Sequence, residues 1–204
     1  QKSAQKIKIY PKSEHTFEAF KKCKYNDLRL VIIAMEPYAG DVNGIPQADG
    51  LCMSSSLTNK VQPSLSAFYD GIEQELYNGL NLSAVKGADL NYLAEQGVLL
   101  ANYSLTVEAK KIGSHSNINL WLPFWKLLIE NVFNQYNPGL IYLLLGKEAE
   151  KVEKFILPFN SYVFKCKHPS YYARTQQPWD SEGALKQINT ILKQNNGSEI
   201  SWLE

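Results

Sequence analysis

The sequence has few cysteines and no arrangement of residues that is typical of a metal site. Its three cysteines, Cys23, Cys52 and Cys166, lie far apart, and its three histidines are not regularly spaced. An odd number of isolated cysteines predicts reduced thiols in a reducing compartment, and the absence of a CxxC pair excludes the usual zinc and iron–sulfur patterns. We therefore expect no metal ion and no cofactor.

Long apolar runs and a strong net charge are also absent. The longest apolar runs are far shorter than the roughly 20 residues that cross a bilayer, and the first residues carry charge without the apolar core of a signal peptide. These features predict a cytoplasmic protein that does not enter a membrane. The formal net charge is only +1. Any contact with nucleic acid must therefore come from local groups rather than from an overall field.

The composition is that of a single globular domain. With 204 residues, of which 45% are hydrophobic and 20% are charged, the chain is long enough for one complete core. We expect one domain over residues 1–204, with a loose polar segment at residues 1–13. Strand and helix patterns alternate without a repeat or a linker. This alternation predicts an α/β fold with a central parallel sheet of four strands flanked by helices.

The strongest strand pattern lies at residues 28–40, LRLVIIAMEPYAG. Its first part is apolar at almost every position, which is typical of a strand covered on both faces. Glu36 therefore follows the carboxyl end of a strand, the edge at which open parallel sheets bind their ligands. Further strands are predicted at residues 98–101, 140–145 and 162–167. Helices are predicted at residues 15–23, 63–79 with Ser64 as N-cap, 89–95, 120–135, 147–157, and 180–194 with Asp180 as N-cap.

Short motifs stand at or near these predicted strand ends. They are EPY at residues 36–38, PQADGLCMS at 46–54, LLAN at 99–102 with LTV at 105–107, and KHPS at 167–170. In this order they resemble the motifs of the uracil-DNA glycosylase superfamily, and of its family 1 in particular: GQDPYH, QAHGLCFS, LLLN with LTV, and HPS. The resemblance extends from about residue 28 to the SWL at residues 201–203.

The resemblance implies a monofunctional DNA glycosylase of base excision repair, which flips uracil out of the helix and hydrolyses its N-glycosidic bond. Cleavage passes through an oxocarbenium-like sugar, which a nearby carboxylate stabilises while it positions water. Glu36 matches the family carboxylate. His168 matches the family histidine that stabilises the negative charge developing on O2 of the departing base.

A set of base-binding residues is implied in the same way. Asn102 matches the family carboxamide that reads uracil, because one carboxamide can both accept from N3–H and donate to O4. Tyr38 matches the tyrosine that blocks carbon 5 and thereby excludes thymine. Met35 and Met53 occupy the positions of the family glutamine and of the phenylalanine that stacks on uracil.

Other residues match family segments that contact DNA. Tyr172 occupies the position of the leucine that fills the space left by the flipped base. Residues that match phosphate-contacting segments or add local positive charge are Ser64, Gly146, Lys147, Ser170 and Arg174. The expected partner of this monomer is single- or double-stranded DNA that contains uracil, and a protein inhibitor is a further candidate partner.

The first two motifs depart from the family pattern at five positions. Met35, Glu36, Ala39, Asp49 and Met53 stand where the family has glutamine, aspartate, histidine, histidine and phenylalanine. Glu36 is one methylene longer than aspartate, and Ala39 leaves room that the longer side chain can use. Three functions therefore stay open. We favour uracil excision, and the alternatives are excision of a different or modified base, and binding of DNA or a partner without chemistry.

Overall fold

A central sheet of four parallel strands organises the computed structural model, which describes residues 7–82 and 86–204. The strands of all sheets in the described residues are β1 (Ile9–Tyr10), β2 (Leu30–Ala34), β3 (Asp41–Val42), β4 (Ile45–Pro46), β5 (Val98–Asn102), β6 (Val107–Glu108), β7 (Leu140–Leu145) and β8 (Ser161–Cys166). The central sheet has the order β5-β2-β7-β8. Every residue of β2, β5 and β7 is buried, as expected for strands covered on both faces. The predicted α/β fold with a four-stranded parallel sheet is confirmed.

The register of the sheet brings the carboxyl ends of its strands to one edge. Ala34 at the end of β2 pairs with Asn102 at the end of β5, and Leu145 of β7 pairs with Cys166 of β8. The segments that carry the sequence motifs leave the sheet at this edge. The sheet therefore gathers side chains that are far apart in the sequence.

Helices connect the strands and flank the sheet. They are α1 (Glu18–Lys22), α2 (Pro63–Leu76), α3 (Asn91–Ala94), α4 (Leu122–Leu128), α5 (Asn134–Tyr136), α6 (Lys147–Glu150), α7 (Pro169–Thr175) and α8 (Ala184–Asn196). A π-helical turn, Ile129–Phe133, joins α4 to α5, and short 3-10 helices cover Ser13–His15, Tyr25–Asp27, Ser56–Thr58 and Glu153–Phe155. None of the described helices is long and apolar enough to cross a membrane.

The start of the chain is more ordered than its polar sequence predicts. Residues 1–6 lie outside the described residues, but Ile9 and Tyr10 form β1, which pairs antiparallel with Val107 and Glu108 of β6. The Tyr10 side chain is buried and its hydroxyl donates to Asp41 at 2.9 Å. The expectation of a loose segment is therefore wrong for these two residues, because the backbone of β6 offers hydrogen-bond partners that the local sequence does not reveal.

Two predicted helix caps are also different in the structure. Helix α2 has the predicted start, but Gln62 is the residue at its N-cap and Ser64 lies within the first turn. The final helix starts at Ala184 after Gly183, while the Asp180 carboxylate accepts from the Glu182 backbone N–H in the preceding turn. Proline is favoured at the first helical position, so Pro63 makes Gln62 the N-cap, and the Asp180 side chain is bonded within the turn that precedes the final helix.

Candidate active site

A cavity of about 390 Å³ opens at the carboxyl edge of the central sheet. It is lined by Met35, Glu36, Pro37, Tyr38, Ala39, Ser64, Ile112, Leu145, Gly146, Lys147, Glu148, His168, Ser170 and Arg174. The structure thus brings together most of the residues singled out from the sequence. Met53, Asn102 and Tyr172 do not line this cavity, and each is buried.

Glu36 follows β2 and both of its carboxylate oxygens are hydrogen-bonded. The Gly113 backbone N–H donates to Oε1 at 2.6 Å, and the Ser116 hydroxyl donates to Oε2 at 2.9 Å. Both donors belong to the segment between β6 and α4, which is remote from Glu36 in the sequence. A carboxylate bonded through both oxygens has a defined orientation in the cavity.

The charge state of Glu36 is a balance of opposing effects. Burial raises the pKa of Glu36, whereas the hydrogen bonds from Gly113 and Ser116 lower it. The nearby His115 also lowers this pKa, while the carboxylate of Glu148 raises it. The net result is a pKa above the ordinary glutamate value, because removal from water penalises the charged form more than these contacts favour it.

His168 lies at the N-cap of α7 with one ring nitrogen committed to the protein. The Ser170 backbone N–H donates to Nδ1 at 3.0 Å, and the Ser170 hydroxyl lies 3.0 Å from the same nitrogen. Because Nδ1 accepts from a backbone N–H, the proton of the neutral ring is on Nε2. The ring therefore keeps an N–H donor for a molecule in the cavity.

His168 is neutral over the physiological pH range. Burial, together with the positive charge of Arg174, lowers the pKa of His168 to about 4. Protonation would remove the Nδ1 acceptor from the Ser170 N–H and place a charge in a poorly solvated ring. His168 can thus act as a neutral hydrogen-bond donor but not as a ready source of a full proton.

Gly146 brings the ends of β7 and β8 together. It has φ +83°, and a Cβ at this position would lie 3.2 Å from the Cβ of His168. Its backbone N–H donates to the Cys166 carbonyl at 2.8 Å. A larger residue would strain this turn and displace the histidine, so Gly146 acts here by its small size. Its N–H is already bonded within the protein, which differs from the phosphate contact expected from the sequence.

Tyr38 is held against the second motif. Its hydroxyl donates to the Met53 carbonyl at 2.9 Å and lies 2.8 Å from the Ser64 hydroxyl. Burial raises the pKa of Tyr38 well above its usual range, so the phenol stays protonated. Ser64, which is not the helix cap expected from the sequence, helps to fix the ring of Tyr38, and its expected phosphate contact stays a prediction.

Asn102 and Met53 lie in the interior next to the cavity residues. Asn102 ends β5 opposite Ala34, is only 3% exposed, and its Oδ1 has no hydrogen-bond partner among the described residues. A buried unpaired acceptor is costly unless a ligand or water satisfies it. Met53 is buried with φ +62°, an uncommon backbone conformation for a residue other than glycine.

The two adjacent tyrosines of α7 have opposite environments. Tyr172 is 9% exposed and belongs to the hydrophobic core, whereas Tyr171 is 45% exposed. Their rings make an edge contact with centroids 5.3 Å apart, and the Lys167 ammonium lies 5.1 Å from the centroid of Tyr171. The surface ring at this place is therefore Tyr171, and the expectation that Tyr172 is presented to DNA does not fit its burial.

The sequence motifs do not contain every residue of the cavity. Gly113 and Ser116 hold Glu36, and Ile112 and Glu148 line the cavity, yet none was singled out from the sequence. Asp49, which stands at a family histidine position, accepts from Ser54 at 2.5 Å and from Ser56 at 2.7 Å and so orders the second motif. A small residue or a serine in a loop carries no distinctive local signal, so only the fold reveals these contacts.

Comparison with known proteins assigns the family. A sequence model described as the uracil DNA glycosylase superfamily matches residues 20–193. A uracil-DNA glycosylase of Pseudomonas aeruginosa is 36% identical over 202 residues, which are 99% of this chain and 82% of that protein. The chain belongs to the uracil-DNA glycosylase superfamily. A second member, from Campylobacter jejuni, is 37% identical over 171 residues, which are 84% of this chain and 70% of that protein.

Solved structures of the superfamily have the same fold. The crystal structure of mimivirus uracil-DNA glycosylase aligns with a TM-score of 0.83 at 25% identity, covering 96% of this chain and 75% of that one. A variant of the mimivirus enzyme in complex with UGI aligns with a TM-score of 0.82 at 24% identity, covering 97% of this chain and 77% of that one. The superfamily resemblance seen in the sequence motifs is thus confirmed over almost the whole chain.

Proposed function

We propose that this protein is a DNA glycosylase that hydrolyses the N-glycosidic bond of uracil in DNA. The observation that supports this most strongly is the presence of Glu36 and His168 in one cavity, with the neutral histidine free to donate from Nε2. The relatives named uracil-DNA glycosylase, which align over most of the chain, support the same activity.

His168 acts on the leaving group in this proposal. As the bond to the sugar breaks, negative charge develops on O2 of the base, and an N–H donor held in advance stabilises that charge without reorganisation. The contacts from Ser170 fix the ring orientation. Because its pKa is low, His168 stays neutral and stabilises the leaving base through an oriented hydrogen bond rather than through complete proton transfer.

Glu36 acts on the sugar side. An ionised carboxylate stabilises the positive charge that develops on the sugar and can orient a water molecule toward the anomeric carbon. The donors on Gly113 and Ser116 hold this carboxylate at the cavity wall. The reaction then needs Glu36 deprotonated and His168 neutral, two states that coexist above the raised pKa of Glu36.

Recognition of the base is assigned to four residues. The unpaired Oδ1 of Asn102 is available to accept from N3–H, and its amide can donate to O4. Tyr38, fixed by Met53 and Ser64, would block a substituent at carbon 5. Met35 lines the cavity. Met53, which is buried outside the cavity lining with its carbonyl bonded to Tyr38, holds the family position for an apolar contact with the ring of the base.

Binding of the DNA strand is assigned to groups at the cavity mouth. Lys147 and Arg174 line the cavity, are exposed, and make no ion pair within the described part of the chain. Their charges can bind phosphates, with Ser170 and the turn at Gly146 beside them. Tyr171 is the ring that would stack in the duplex after base flipping, in place of the buried Tyr172.

The proposal covers partners and location as well. DNA, single- or double-stranded and containing uracil, is the substrate of a monomeric enzyme. An inhibitor of the UGI type is a candidate partner, since a structural neighbour was solved in complex with UGI. A cytoplasmic location remains a prediction, consistent with three free, buried cysteines.

One assay tests this function. Duplex and single-stranded oligonucleotides carrying uracil, thymine, modified pyrimidines or mismatches are incubated with the protein, and abasic sites are revealed by alkali. We expect excision of uracil that persists in EDTA and is inhibited by UGI. Absence of excision at high protein concentration, with DNA still bound, would instead favour the binding function.

A second candidate activity is excision of a modified base. Ala39 lines the cavity where the family pattern has a bulky histidine, and Met53 replaces a rigid phenylalanine. The smaller side chain of Ala39 leaves room for a larger base, and the flexible side chain of Met53 can adjust to it. The same panel separates the two activities, because a preference for a modified pyrimidine over uracil would establish this second candidate.

A further inference from the structure

The segment between β6 and α4 supplies both hydrogen bonds to Glu36. Gly113 and Ser116 contact one carboxylate oxygen each, at 2.6 Å and 2.9 Å. Ser116 is fully buried, so its hydroxyl is shielded from competing water. Ile112, which precedes these donors, lines the cavity itself. The segment is thus a wall of the active site as well as a support for its carboxylate.

This segment is itself held in place by polar contacts. Nδ1 of His115 lies 2.8 Å from the Thr106 hydroxyl, and that hydroxyl accepts from the indole N–H of Trp121 at 2.8 Å. The Ser114 hydroxyl accepts from the Glu108 backbone N–H at 2.8 Å. Donors mounted on such a network have little freedom to move and can impose a position on the group that they bind.

A glutamate at position 36 needs this support more than an aspartate would. Its side chain has one more rotatable bond, so more rotamers must be suppressed to keep the carboxylate near the sugar. Ala39 beside it has no polar atom in its side chain with which to restrain the carboxylate. Two donors from one rigid segment fix both oxygens and select one rotamer.

We propose that Ser116, together with the backbone N–H of Gly113, is the positioning group of Glu36 and maintains it as an oriented carboxylate. The catalytic part of this inference rests on the proposed function, because it assigns Glu36 to the sugar side of the reaction. Ser116 does not touch the substrate in this account. It acts through the carboxylate that it binds.

Several charged and titratable groups surround Glu36, and a test must distinguish their effects on its pKa from the effect of the Ser116 hydroxyl. His115 from the same segment favours its ionised form, and Glu148 from the start of α6 opposes it. The other ionisable groups on the cavity wall are Tyr38, Lys147, His168 and Arg174. A variant that removes only the Ser116 hydroxyl leaves all of these groups unchanged.

The central experiment is Ser116→Ala in the uracil excision assay as a function of pH. We expect kcat to fall by about 10- to 100-fold with little change in KM, because the carboxylate loses its fixed position but DNA contacts remain. The acid limb of the rate profile should move to higher pH, since a hydrogen bond to the ionised form is lost.

Two further variants keep the experiment decisive. Ser116→Cys preserves the shape with a weaker donor and should give an intermediate rate and an intermediate acid limb. Asn117→Ala is the matched control, because Asn117 follows Ser116 in the same segment but is exposed, whereas the carboxylate of Glu36 is bonded by Gly113 and Ser116. An equal shift of the acid limb in Asn117→Ala would overturn the assignment to Ser116.

A direct titration separates this inference from the proposed function. The side-chain carboxyl carbon of Glu36 is followed by NMR against pH in the wild-type protein, in Ser116→Ala and in Asn117→Ala. We expect the midpoint to rise in Ser116→Ala alone. This result would support the positioning role even if the protein did not excise uracil, whereas an unchanged midpoint in Ser116→Ala would overturn it.

Discussion

Glu36 and His168 face the same cavity, but the protein controls them in different ways. Glu36 is fixed by donors from a distant segment, at Gly113 and Ser116. His168 is fixed by its own next turn, through the backbone and side chain of Ser170. One side of the site therefore depends on tertiary contacts, and the other depends on local sequence.

The electrostatic contrast follows from the same arrangement. Burial favours the neutral form of both groups, and so it raises the pKa of Glu36 and lowers the pKa of His168. Glu36 has donors that oppose this tendency, whereas His168 has the cation Arg174 that reinforces it. Burial thus places a neutral donor on one side, whereas hydrogen bonds and the nearby His115 favour the carboxylate form of Glu36 on the other.

The largest expected effect comes from the His168 side. We expect His168→Ala to lower the excision rate by about 100- to 1000-fold, the usual cost of losing a donor to a developing anion. Affinity for DNA should change little, because phosphates are bound by other groups. Both quantities are measured by single-turnover kinetics and by fluorescence anisotropy. His15→Ala is the control. Equal losses of rate and affinity in His168→Ala would show that His168 has a structural role rather than a catalytic one.

On the other side of the cavity, Glu36→Gln tests the carboxylate. This change keeps the length but removes the charge and one of the two acceptors that Gly113 and Ser116 use. We expect a fall in the excision rate on the order of 100-fold, measured under single-turnover conditions. Glu14→Gln, an exposed site, serves as control. An unchanged or higher excision rate in Glu36→Gln would show that the carboxylate does not act in the reaction.

The opposite pKa shifts can be compared through stability. Because the pKa of His168 falls from an ordinary 6.5 to about 4 in the folded protein, the unfolded chain binds more protons at this site between these values. The contribution of His168 to stability is then complete above pH 6.5 and lost as pH falls toward 4. We expect this loss to be about 3 kcal/mol in the wild type and absent in His168→Ala.

Glu36 works against that trend. Its raised pKa means that the folded state binds the extra proton there, so acid favours folding through this group. Urea unfolding at about pH 7 and about pH 4 measures the total change in the free energy of unfolding of the wild type. The difference between this change and the change in His168→Ala isolates the contribution of the histidine. The interpretation fails if both proteins lose the same stability over this interval.

The smallest expected effect lies in the adjacent tyrosines. If Tyr171 stacks in the duplex, Tyr171→Ala should lower excision from duplex DNA by about tenfold and leave single-stranded DNA nearly unaffected. Tyr172→Ala is the matched comparison, because its buried ring should affect stability instead, by about 3 kcal/mol or more. A selective loss on duplex DNA in Tyr172→Ala would restore Tyr172 as the stacking residue.

The sequence by itself determined the sheet and the local features of the site. Continuous apolar runs are buried on both faces, so they predicted three of the central strands closely and placed Glu36 at a carboxyl end. The His-Pro-Ser motif is also local, because His168 caps α7 and contacts Ser170 two residues later. Such features are readable because their partners are neighbours in the chain.

Only the tertiary structure decided which side chains support the carboxylate and which ring reaches the surface. Gly113 and Ser116 meet Glu36 across a long sequence separation, and no pattern of residue types encodes that meeting. Tyr171 and Tyr172 are chemically identical in the sequence, and only the packing of α7 buries one and exposes the other. Hydrogen-bond partners and exposure are properties of the space around a residue, and that space is created by the whole fold.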